Sequence, residues 1–128
     1  MNQGKMSKPK YDIGERAINF AVRCAKLIGK LPRSIATIEY GKQLIRSSAS
    51  VGANIEEADG TLTKRDFVNK MAISRREARE SKYWLNLINK ASLTDKQEMK
   101  NEMDSLLQEA HELMLILSSI VNKVRNMA

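Results

Sequence analysis

Between Met99 and Met127 the apolar residues Met99, Met103, Leu106, Ala110, Leu113, Leu117, Ile120, Val124 and Met127 follow one another at alternating steps of four and three. A strand places side chains on one face every second residue, so this spacing excludes a sheet and demands a long helix with one continuous buried seam. A seam of this kind is stable only against other helices, as in coiled-coil-like bundles. Thr94, with Gln97 three residues on, supplies a capping box for its start.

The remaining sequence offers partners of the same kind. Asp12 caps a first helix reaching Lys30, with Ile13, Ala17, Phe20, Cys24, Leu27 and Leu31 on its apolar face and Arg16, Arg23, Lys26 and Lys30 opposite. Leu31-Pro32 ends it. A second helix runs from near Ser34 to Asp59-Gly60, where glycine can take the left-handed cap conformation. Its apolar stripe reads Ile38, Ile45, Gly52 and Ile55, flanked by Leu44, Ser48 and Val51. Thr63 opens a third helix with Asp66 as its capping partner, and Phe67, Met71, Ser74, Ala78, Ser81, Leu85 and Ile88 form its core face. The 128 residues therefore describe an all-α, antiparallel up-down four-helix bundle over residues 12–128, preceded by a flexible basic tail over residues 1–11.

Composition narrows the function classes. The chain carries 22 basic and 15 acidic residues, and residues 61–90 alone hold eight basic against three acidic ones. Lys64, Arg65, Arg75, Arg76, Arg79 and Lys82 fall within one broad sector of the third helix, with Tyr83 at its edge. Arginine forks suit phosphate oxygens, so this sector is the candidate nucleic-acid surface. The competing reading is a solvated face with Arg76 and Glu80 as a surface pair one turn apart. Two Phe, three Tyr and one Trp give little support to RNA recognition by extended base stacking. No apolar run is long enough for a membrane span, and no apolar leader precedes the first helix, so the expected address is the cytoplasm. One cysteine, Cys24, lies on a core stripe, and the one histidine, His111, has Gln108 rather than Glu three residues before it. No di-iron motif, nucleophile–base pair or phosphate loop follows from these, so neither a cofactor nor an enzymatic activity is expected.

Two further groups ask for a partner or a packing reason. Leu107, Met114 and Val121 repeat every seven residues beside the main seam of the fourth helix, and Ile73, Trp84 and Leu87 flank the core face of the third. Both sets are candidate subunit-interface residues, and a broad core contact is the alternative. In the second helix, Ser47, Ser48, Ala49, Ser50, Gly52 and Ala53 leave so little side chain that a neighbouring helix can approach closely. Arg46 projects from the same segment beside Ser50 and Glu57, and it can pair with Glu57 or with the acidic flank of the third helix.

The segments QLIRSSASVGANIEEADG and KRDFVNKMAISRREARESKYWLNLI resemble the four-helix-bundle proteins encoded within intervening sequences of bacterial large-subunit ribosomal RNA genes. The resemblance spans about residues 12–125 and rests on Arg46-Ser47, Ser50-Val51, Asn54-Ile55, Glu57-Ala58, Asp66-Phe67 and the Glu77, Glu80, Tyr83-Trp84-Leu85 block. It implies a ring-like homo-oligomer, typically a pentamer, in which Asn54, Glu57, Glu77 and Glu80 belong to a polar interhelical or intersubunit network. A more distant likeness is to the accessory protein of diversity-generating retroelements, which works with a reverse transcriptase and nucleic acid. The expected partners are further copies of the chain and nucleic acid, RNA in preference, with a protein scaffold role as the alternative.

Overall fold

A computed structural model describes residues 12–127, and the tail expected over residues 1–11 lies outside them. Four helices follow in order: α1 (Ile13–Lys30), α2 (Ile35–Asp59), α3 (Lys64–Lys90) and α4 (Gln97–Arg125). Side-chain pairs fix their directions. Arg16 and Arg23 of α1 meet Glu109 and Glu102 of α4 in reverse order. Ser47 meets Ser81, while Val51, further along α2, meets Ser74, earlier on α3. Neighbouring helices are thus antiparallel, and the chain closes as an up-down bundle of four. The α2–α3 and α3–α4 seams are the most extensive and α1–α4 the thinnest.

Local chemistry sets three of the starts. Asp12 Oδ1 accepts from the Glu15 amide at 3.1 Å, Ser34 Oγ from Thr37 at 3.0 Å, and Thr63 Oγ1 from Asp66 at 3.1 Å. The expected Thr94–Gln97 box does not form. Thr94 is buried and its hydroxyl accepts from the Lys96 amide at 3.1 Å, holding a turn that delays α4 until Gln97. Nor does Gly60 take a left-handed conformation; its φ is −90°. Ser92, after α3, adopts that region instead, with φ 54°.

The core is filled by Phe20, Cys24, Leu44, Val51, Leu85, Ile88, Met103, Leu106, Leu113, Leu117 and Val121. Two of the expected stripes shift. On α4 the seam passes from Leu117 to Val121 rather than to Ile120, because a straight helix drifts about 20° per heptad against a strict seven-residue repeat. Val121 is consequently fully buried within its own chain and has no surface to give a second subunit, contrary to its assignment from heptad spacing. On α2 the buried line runs through Thr37, Gly41, Leu44, Ser48, Val51, Ile55 and Ala58, while Ile45 stands 43% exposed.

Small residues explain the α2 shift. A Cβ on Gly41 would come within 2.7 Å of Ile28 Cγ2, and one on Gly52 would meet Ala17 Cβ at 3.4 Å, so α1 lies directly against this side. On the α3 side Ser47 Oγ is 2.8 Å from Ser81 Oγ, and Ser74 Oγ donates to the Val51 carbonyl at 2.7 Å. Buried hydroxyls are tolerated when paired, and each pairing contributes about 1 kcal/mol. The serine- and glycine-rich segment is therefore the place where two neighbours close in on one helix.

Candidate nucleic-acid interface

The arginines divide into two populations. Arg16 grips Glu109 through two bonds, Nε–Oε2 at 2.7 Å and Nη2–Oε1 at 2.9 Å, and Nη2 also reaches Glu112 at 2.6 Å. Arg23 binds Glu102 through Nε and Nη2, both at 3.0 Å, and Nη2 also donates to Ser105 Oγ at 2.8 Å. These forks raise both guanidinium pKa values, the carboxylate hydrogen bond being the largest cause in each. Arg16 and Arg23 stand seven residues apart, as do Glu102 and Glu109, so the pairing was present in the spacing once antiparallel contact was known. Helical spacing alone sets both arginines opposite the apolar face of α1 and does not identify these partners.

Arg46 forms the second anchored site. It bonds Glu80, lies 3.4 Å from Glu77 Oε1, and is raised in pKa chiefly by the hydrogen bond to Glu80. Glu80 also accepts from Trp84 Nε1 at 3.2 Å, and the indole packs beside Tyr40 of α2 at a ring separation of 6.1 Å. The structure thus joins Arg46, Glu77 and Glu80 across α2 and α3. Asn54 and Glu57 stand apart from this cluster: Asn54 donates to the Ser50 carbonyl of its own helix at 2.9 Å, and Glu57 lies 3.9 Å from Lys70 Nζ.

The α3 cations behave otherwise. Among the described residues, none of Arg65, Arg75, Arg76, Arg79 and Lys82 has an ion-pair partner. The Arg76–Glu80 pair that helical spacing allows is absent, because Glu80 is turned to Arg46 and Trp84. Lys64 differs: its ammonium donates to the Met127 carbonyl at 2.7 Å, tying α3 to the end of the chain. Two hollows line the outer side of α3 and share Arg79. One, of about 550 Å³, is bordered by Asn69, Ala72, Ile73, Arg75, Arg76 and Arg79. The other, of about 650 Å³, lies between α3 and α4 and is bordered by Arg79, Lys82, Tyr83, Asn86, Asp104, Leu107, Gln108 and His111. His111 is half-buried there with Nδ1 3.1 Å from Lys82 Nζ.

The apolar residues assigned to a subunit contact scatter. Ile73, Trp84 and Leu87 are half-buried on α3 and Leu107 and Met114 on α4; of these, Trp84, Leu107 and Met114 pack against the chain's own core. The large apolar residues left open include Ile18 and Val22 on α1, Ile45 on α2 and Leu115 on α4. No described helix is long and apolar enough to cross a membrane.

Fold and site together define a four-helix bundle in which Arg16, Arg23 and Arg46 are paired with carboxylates and, among the described residues, the arginines of the α3 face are not. The family model of the 23S rRNA-intervening sequence protein matches residues 9–119. The chain belongs to that family. It is also similar to a crystallised protein of unknown function from the S23 ribosomal protein family of Bacteroides thetaiotaomicron, with 29% identity, a TM-score of 0.70, and coverage of 85% of this chain and 97% of that one. No curated protein matches the chain.

Proposed function

We propose that this protein is a non-enzymatic, cytoplasmic homo-oligomer that binds nucleic acid, RNA in preference, through the α3 face. One observation carries the reading: among the described residues Arg65, Arg75, Arg76, Arg79 and Lys82 stand without carboxylate partners, whereas Arg16, Arg23 and Arg46 are paired. Unpaired guanidinium forks along one helix suit phosphate oxygens, and steps of three and four residues advance them about 5–6 Å at a time. Assembly would repeat the face around a symmetric rim and multiply weak contacts. The family's pentameric habit favours five copies, and Ile18, Val22 and Ile45 supply open apolar surface for the contact. The preference for RNA is supported by the family's association with ribosomal RNA intervening sequences.

Fluorescence anisotropy of the purified protein with a structured RNA and a duplex DNA across a salt series tests this. The expected result is a log affinity that falls linearly with log salt, the slope giving the number of phosphates neutralised. Absence of binding to both at low salt would sink the proposal. The open apolar residues then favour a second reading, an oligomeric scaffold for a protein partner such as a reverse transcriptase, and a pulldown that keeps its partner after nuclease treatment would identify it.

A further inference from the structure

The groove between α3 and α4 has chemistry that a charged helix face alone does not. Lys82 Nζ lies 3.1 Å from His111 Nδ1. An ammonium group carries donors only, so within this contact Nδ1 takes the acceptor role. Arg79 adds a planar fork of donors from the same wall. Asp104 also borders the groove, but it accepts from Asn89 Nδ2 at 3.3 Å and pairs with neither Arg79 nor Lys82. A wall that carries Arg79, Lys82 and His111 suits anionic oxygens.

The same groove is too large and too mixed for a bare anion. Its volume, about 650 Å³, falls within the range of roughly 300–1,000 Å³ in which small-molecule sites lie. Tyr83 borders it with 58% of its surface open, braced edge-on against Trp84 at a ring separation of 5.1 Å. Leu107 adds apolar surface, and Asn86 offers an amide with both a donor and an acceptor. Donors for a phosphate, a flat ring and a two-way hydrogen-bonding group within one hollow match the parts of a nucleotide.

We infer that the α3–α4 groove takes one unpaired nucleotide of a single-stranded nucleic acid, with its phosphate on Arg79, Lys82 and His111 and its base against Tyr83. The inference rests on the nucleic-acid reading of α3 and deepens it. A base stacked within a duplex cannot lie on Tyr83, so the groove makes the protein discriminate single strands from duplexes, which charge alone does not. One aromatic platform is enough for this, although the chain lacks the several needed for an extended stacking track.

Trp84, the chain's one tryptophan, touches Tyr83 and reports on the groove. Titration of the full-length protein with uridine monophosphate should change its fluorescence saturably, with uridine or inorganic phosphate alone acting more weakly. By anisotropy, a short oligouridine should bind more tightly than a duplex RNA of equal length. Tyr83→Ala should weaken oligouridine binding about tenfold, leave the duplex unaffected, and be rescued by Tyr83→Phe. Both variants should melt as the parent does, since Tyr83 is exposed. If oligouridine and duplex bind equally, with the usual salt dependence, and Tyr83→Ala moves neither, the groove inference is overturned while the charged face stands. Failure of both nucleic acids to bind at low salt removes the underlying reading instead.

Discussion

The α1–α4 seam and the outer face of α3 both carry arginines at helical spacing, yet only the first spends them on the fold. Arg16 and Arg23 lie opposite Glu102, Glu109 and Glu112, and each fork is filled by a carboxylate. Arg75, Arg76 and Arg79 lie on a helix whose nearby acids, Glu77 and Glu80, are taken by Arg46 from α2. An arginine's role is decided by what faces it, since a satisfied guanidinium has few donors left for a ligand and an unsatisfied one has five.

Reversal of Arg75 and Arg79 to Glu should give the largest change. Removing two phosphate contacts lowers nucleic-acid affinity about a hundredfold at low salt and flattens the salt slope by about two. The melting curve should stay with the parent's, because neither side chain has an ion-pair partner among the described residues; a large loss of stability would erase the distinction between the two regions. The converse variant, Arg16→Ala with Arg23→Ala, should lower stability in urea by about 1–2 kcal/mol, a modest figure because both forks reach solvent. Its affinity for nucleic acid should be unchanged.

Smaller effects sharpen the contrast. Hydrogen bonds from Gln108 and Arg16 hold the Glu112 carboxyl below its usual 4.5. A depressed carboxylate stabilises the fold above its ordinary pKa, and that contribution is lost as pH falls below it. The stability gap between the parent and Arg16→Ala should therefore narrow below pH 4.5, as chemical denaturation at a series of pH values would read. Cys24 sits next to Arg23 in sequence but faces the core, where burial pushes its thiol up to about 12. A thiol reagent at neutral pH should leave the native protein almost unlabelled. Labelling should quicken in the Arg16→Ala, Arg23→Ala variant and stay slow in the Arg75→Glu, Arg79→Glu variant, since only the former loosens α1.

Helix number, helix order and most of the core were legible because they depend on periodicity, a property each segment carries alone. The α4 seam from Met99 to Leu117 was read correctly on that basis. Val121 was not, since heptad counting ignores the drift of a straight helix. Misreading of α2 had a different source. Hydrophobicity favours Ile38 and Ile45, whereas Gly41 is buried by close approach and Ser47 by hydroxyl pairing, which apolar spacing does not register.

By itself the sequence determined that this protein is a four-helix bundle with basic residues concentrated on α3, because amphipathic spacing and charge are fixed by residue order. Only the tertiary structure decided which cations are free and where a groove opens. Those outcomes depend on contacts between residues far apart in the chain, such as Arg16 with Glu109, Arg46 with Glu80 and Lys82 with His111. Pairing is a property of distance in space, and packing the helices against one another is what sets it.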